Sequence, residues 1–248
     1  MDLGISGRRA AVGAGSAGLG LGAARALVAE GVSVAICGRD PARLRAACVE
    51  LGPAAVGIVA DLADPAEAIH FAAQSAELLG GHLDIVIANA GGPPAGLPSE
   101  TSLESYQAAL ELNFLSTVAL CNASVTPMRE AGWGRIVAIT SIGARQPIIN
   151  LAASGAARAA VTSYIKALSR EIAADGVTAN TVQPGTHDTD RIRSLYGDGD
   201  GPAASIPVGR LGDPDDFGAT VAFLCAQQAG FVTGASLIVD GGVSAGLQ

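Results

Sequence analysis

The stretch Arg9-Ala10-Ala11-Val12-Gly13-Ala14-Gly15-Ser16-Ala17-Gly18-Leu19-Gly20 decides the fold. An apolar run leads into a G-x-G-x-x-G spacing, and the residues from Leu19 to Glu30 carry helical periodicity. With 33 glycines in the chain the spacing alone says little, since chance supplies about half such a match. Its context raises it. A strand, a glycine turn and a helix N-terminus aim backbone N–H groups and the positive end of the helix dipole at a pyrophosphate. Gly13, Gly15, Ser16, Gly18 and Leu19 are therefore the expected cofactor-binding positions. The next apolar run ends Cys37-Gly38-Arg39, with no carboxylate to hold a ribose 2′-hydroxyl. The Arg39 guanidinium suits a 2′-phosphate instead, so NADP is expected in preference to NAD.

Outward from this turn, short β-type runs alternate with longer Ala/Leu-rich stretches. Strands are expected at 9–12, 33–37, 55–59, 84–88, 135–140, 178–182 and 236–239, and helices at 19–30, 41–51, 65–79, 103–128, 152–173 and 214–226. Asp40-Pro41, Asp64-Pro65 and Asp213-Pro214 each place a capping carboxylate before a first-turn proline. Regular alternation of this kind predicts an α/β fold with one doubly wound parallel sheet of about seven strands and helices on both faces. No linker, low-complexity tract or repeat divides residues 1–248, which read as a single domain.

Composition narrows the function classes. Hydrophobic residues make up 49% and charged residues 15%, which excludes an intrinsically disordered chain. Surface scaling at this size predicts ~10,000 Å² of folded surface, with roughly 70% of the unfolded area buried. A net charge of −8 offers no basic footprint for nucleic acid. The N-terminus lacks the basic residues of a signal peptide, and charged, Gly or Pro residues interrupt each apolar stretch, so no membrane association and a cytoplasmic location are expected. Cys37, Cys48, Cys121 and Cys225 show no Cys-x-x-Cys spacing and are expected as free thiols. His70 and His82 have no ligand-spaced neighbours, so no metal site is expected.

Several ordered motifs resemble the short-chain dehydrogenase/reductase family along essentially the whole chain. Residues 13–20 resemble its glycine turn, with Gly13 for Thr and Ala14 for the first Gly. Asp61-Leu62 resembles the pair that contacts the adenine. Asn89-Ala90-Gly91 resembles the end of N-N-A-G, and Pro184-Gly185 with Thr189 resembles the loop over the nicotinamide. Arg210 to Pro214 and Thr233 to Gly242 resemble the closing signature. The resemblance implies a nicotinamide-dependent oxidoreductase acting on a small carbonyl or hydroxyl compound, usually as a homotetramer. It assigns cofactor contacts to Asp61, Leu62, Asn89, Gly91, Pro184 and Gly185, and a substrate lid to about 186–207.

The family's catalytic set is Asn, Ser, Tyr and Lys. Asn113 and Ser141 match the first two, but the positions for the pair are held by Ser154 and Arg158. No tyrosine of the chain has a lysine four residues on, and Lys166 is the only lysine. Ser154 and Arg158 still share one helix face. Serine is a far weaker acid than a phenol, and arginine does not deprotonate in proteins. Losing a general acid costs ~10²- to 10⁴-fold in rate. Three readings stand: a reductase with a remodelled centre built on Ser141, Asn113, Ser154 and Arg158; a non-redox enzyme of lyase or dehydratase type; and a catalytically inactive nucleotide-binding homologue. His187 could supply an acid and Tyr196 could close over substrate, although a solvated loop position is the simpler expectation for both.

Overall fold

The apolar runs are too short and too uniformly hydrophobic to leave a face in water, so they stack as parallel strands covered on both sides. The structure is a computed structural model and describes residues 2–197 and 203–247. Its strands are β1 (Arg9–Val12), β2 (Ser33–Gly38), β3 (Ala55–Val59), β4 (Ile85–Ala88), β5 (Gly134–Ile139), β6 (Val177–Pro184) and β7 (Ser236–Val239). All neighbours are parallel, in the order β3-β2-β1-β4-β5-β6-β7. The doubly wound seven-stranded sheet expected from the alternation is present. The folded surface is 10999 Å², near the ~10,000 Å² that scaling predicts.

Period-two alternation divides the core. Val12, Val34, Ile36 and Ile87 face α1 (Gly18–Ala29) and α8 (Pro214–Cys225), whereas Ala11, Ala35, Cys37 and Val86 face α3 (Pro65–Leu78), α5 (Ser116–Glu130) and α6 (Ala152–Ile172). The remaining helices are α2 (Pro41–Leu51), α4 (Leu103–Ala109) and α7 (Asp190–Tyr196). Asp40, Asp64 and Asp213 each accept a backbone N–H at the start of α2, α3 and α8, as their Asp-Pro sequences predict.

The expected helix at 103–128 is α4, a π-helical turn Leu110–Leu115 and α5 in one run. This run, Leu103–Glu130, is long and apolar enough by length and composition to cross a membrane, which corrects the reading that no stretch reaches that length. Here the apolar side has another use: Ala119, Leu120, Cys121 and Met128 are buried in the core beneath the sheet. The four cysteines are free, and burial pushes the Cys37, Cys121 and Cys225 thiols up to about 12.

Helices α1 and α8 meet backbone to backbone. A Cβ on Gly22 would lie 2.1 Å from the Pro214 carbonyl oxygen, and one on Gly218 would lie 2.2 Å from that of Gly22. Even one methyl group must push the helices apart. Gly22→Ala is expected to destabilise the protein by about 1–3 kcal/mol, the usual cost of overpacking, lowering Tm by several degrees in a thermal melt.

Candidate active site

The carboxyl ends of β1, β4, β5 and β6 open into a cleft of about 760 Å³, on the side of a doubly wound sheet where ligands bind. Its first wall is the glycine turn. Gly13 donates its N–H to the Ile87 carbonyl at 3.0 Å, and Asn89 Nδ2 donates to the Gly13 carbonyl at 3.0 Å. A Cβ on Gly13 would lie 2.4 Å from the Asn89 carbonyl oxygen, and one on Gly15 would lie 2.8 Å from Ile36 Cγ2. These two glycines therefore let the turn pack against β2 and β4, and they lie behind the residues that line the cleft. Ala14, Ser16, Ala17, Gly18 and Leu19 form the wall itself.

Helix α1 starts with no side-chain cap and no acidic residue in its first turn. Its first residues, Gly18 and Leu19, line the cleft, and no side chain caps its leading N–H groups, the condition a pyrophosphate site requires. Together with the close-packed glycines, this arrangement fits a dinucleotide. Ala14 takes the left-handed region at φ 45°, in the place where the family has glycine.

Beyond the turn, Arg39, Asp61, Leu62, Asn89, Gly91, Pro184 and Gly185 all line the cleft, as expected. Arg39 is largely exposed and sits 3.7 Å from Asp61. Arg43, which sequence reading missed, lines the same end and pairs with Asp190 at 2.5 Å. It lies one helical turn past Arg39, and that spacing was the available signal.

At the other end, β5 delivers Ser141 and α6 delivers Ser154 and Arg158 to one wall. The Ser141 Oγ accepts the Gly143 N–H at 3.0 Å, which leaves its own proton free to donate. Arg158 Nη1 donates to the carbonyls of Ile139 at 2.8 Å and Thr140 at 2.9 Å, tying α6 to the end of β5 beside Ser141. Burial, followed by the like charge of Arg191, lowers the Arg158 guanidinium to about 10, so it stays charged at neutral pH.

Other candidates land elsewhere. Asn113 does not line the cleft; it is buried in the π turn, with Nδ2 donating to the Ala109 carbonyl at 3.2 Å and Oδ1 without a protein partner among the described residues. His187 is buried rather than solvated, with its ring edge-on to Phe217 at 5.1 Å and Nδ1 3.3 Å from the Gly185 carbonyl oxygen. Burial lowers its pKa, so at neutral pH the ring is neutral and no imidazolium is present to act as an acid. Tyr196 is half-exposed on the cleft wall. The lid expected at about 186–207 contains α7, while 198–202 lie outside the described residues. Lys166 donates to the Gly234 carbonyl at 2.9 Å, away from the cleft. Among the described residues no group of three His, Cys, Asp or Glu side chains is placed to hold a metal ion.

A family model described as enoyl-(acyl carrier protein) reductase matches residues 13–244. The chain belongs to the short-chain dehydrogenase/reductase family. It is 36% identical over 229 residues to "Inactive 2-(S)-hydroxypropyl-CoM dehydrogenase 2" of Xanthobacter autotrophicus, covering 90% of this chain and 99% of that protein. It is 33% identical over 240 residues to the 2-dehydro-3-deoxy-L-rhamnonate dehydrogenase (NAD(+)) of a Sphingomonas species, covering 96% and 95%. L-sorbose reductase from Gluconobacter frateurii, solved with NADPH and L-sorbose, superposes with a TM-score of 0.93 at 28% identity over the full length of both chains. The short-chain fold and membership of an oxidoreductase family are thus shown.

Asn89 joins the glycine turn to β4 through one side chain. Asn89→Ala is expected to cost about 0.5–1.5 kcal/mol of stability and to weaken dinucleotide binding, measured by calorimetry, because the turn loses its anchor.

Proposed function

We propose that this protein is an NADP-dependent reductase of a small carbonyl compound, working with a remodelled catalytic centre. The observation that carries the reading is one continuous cleft joining the uncapped N-terminus of α1 and Arg39 to Ser141, Ser154 and Arg158. Arg39 and Arg43 offer two cations to a 2′-phosphate, and no acidic residue ends β2. When bound, the dinucleotide supplies a hydride at its nicotinamide ring.

Ser141, whose Oγ accepts the Gly143 N–H, donates a hydrogen bond to the substrate oxygen and keeps its proton. Arg158, fixed beside it, stabilises the negative charge that grows there as hydride reaches carbon. The proton that completes the alcohol comes from water, because neither a serine hydroxyl nor a guanidinium is acidic enough to release one. The balance is one carbonyl, one hydride and one proton in, one alcohol out. Asn113 shapes the π turn next to Leu112, a cleft residue, and His187 holds the loop that carries Thr186 and Thr189. The exposed Phe231 and Leu237 of the closing segment supply apolar surface for a homotetramer, working in the cytoplasm.

A second reading, a catalytically silent nucleotide binder, is favoured by the word "Inactive" in the name of one relative. Turnover separates the two. Wild type is expected to oxidise NADPH slowly with activated, uncharged ketones, and Ser154→Tyr with Arg158→Lys to raise that rate by ~10²-fold or more, the worth of a general acid. Unchanged NADPH absorbance in both proteins would favour the silent binder, and substrate conversion at constant absorbance a non-redox enzyme. In calorimetry NADPH is expected to bind more tightly than NADH, and Arg39→Ala to reduce that ratio by about 10-fold, the value of one charged hydrogen bond. Sedimentation at micromolar concentration is expected to give a tetramer; a clean monomer would contradict the assembly.

A further inference from the structure

The cleft is electrostatically lopsided. Its acidic lining residues are all at the nucleotide end and all engaged: Asp61 with Arg39, Asp190 with Arg43, and Asp40 capping α2. At the inner end stand Arg158 and Arg191, and neither meets a carboxylate among the described residues. Arg158 spends Nη1 on two carbonyls, while Nε and Nη2 donate to nothing in the described protein. Arg191 reaches across from α7, lies over Gly92 and donates Nη2 to the Pro93 carbonyl. Each guanidinium is partly desolvated and lowered by its burial, and the Arg191 charge lowers Arg158 further, so both lie within electrostatic reach of each other.

Two neighbouring cations withdrawn from water without an anion are costly unless a ligand brings the countercharge. The uncapped N-terminus of α1 and Arg39 would hold the phosphates of a dinucleotide at the other end of the cleft, which assigns the countercharge at this end to the substrate. We propose that the inner end of the cleft is a carboxylate site, in which the Arg158 fork and the Arg191 guanidinium grip the acid group of a 2-oxo or 2-hydroxy acid. Arg158 is bonded to the residue preceding Ser141, so an acid group on this fork sets the adjacent carbon beside the Ser141 hydroxyl. A planar guanidinium is also the group that matches a carboxylate bidentately, which lysine cannot do. The choice of reacting carbon rests on the reductase reading; the binding site does not.

The test is calorimetry of the protein saturated with NADPH, titrated with 2-oxopentanoate and with its uncharged near-isostere 2-oxopentanamide. Wild type is expected to bind the acid at least 10-fold more tightly than the amide. Arg191→Gln should erase that preference while leaving amide and NADPH affinities unchanged, and Arg191→Lys should restore part of it. Arg158→Lys should also lower the preference, because the fork is lost though the charge remains. Equal affinity for acid and amide, or no binding of the acid, would overturn the site. So would an Arg191→Gln protein whose NADPH affinity falls while acid preference survives, since that guanidinium would then serve the nucleotide. Acid-selective binding with constant nicotinamide absorbance would leave the carboxylate site standing and overturn the proposed reduction.

Discussion

Everything at the cleft depends on the pairing of β1 with β4, in which Ala10, Ala11 and Val12 lie beside Ile85, Val86 and Ile87. The chain winds outward from β1 through β2 to β3, then returns to the other side of β1 before continuing to β7. Right-handed crossovers from that central pair carry one set of helices to each face. Where the direction reverses, the turns after β1 and β4 diverge and leave a crevice. The Gly13 N–H to Ile87 and the Asn89 amide to Gly13 lock the crevice shut at its base. Glycine is needed there because a side chain on Gly13 would occupy the Asn89 carbonyl.

Small residues do similar work elsewhere. The Gly22 and Gly218 contact brings α8 onto α1, and α8 carries Phe217, against which the His187 ring packs. That ring packs the loop from Pro184 to Thr189 against α8, so the position of this cleft wall is set partly by a helix crossing far from it in sequence. The low pKa direction of His187 follows from the same burial. A residue that looked like a candidate acid is a wedge, kept neutral by its burial against the pull of the Gly185 carbonyl.

Arg158 shows how one substitution changes the use of a site. Its two bonds to the end of β5 make it part of the framework, whereas as a residue of the cleft lining it also contributes a fixed positive charge. A lysine could lose its proton and become neutral there, or exchange it. A guanidinium does neither, but it offers a flat fork of donors. At the inner cleft the guanidinium therefore offers hydrogen bonds and fixed charge where a lysine would offer a transferable proton.

The local signals determined much of this. Asp-Pro caps placed the starts of α2, α3 and α8, apolar runs placed the strands within two residues of their observed bounds, and the glycine turn identified the nucleotide end, because each is a short-range consequence of backbone sterics and burial. Absent Tyr and Lys could likewise be read directly, since spacing along one helix fixes which residues share a face. What the sequence could not reveal was set by contacts between distant segments. The close packing of Gly13 and Gly15 exists only with β2 and β4 against them, and only the fold sets Asn113 in a π turn outside the lining of the cleft. Arg191 gained its meaning from Pro93 and Arg158, residues 98 and 33 positions away along the chain. Whether an arginine is a solvated surface charge or a desolvated cation in need of an anion depends on what the fold packs around it, and that environment exists only in three dimensions.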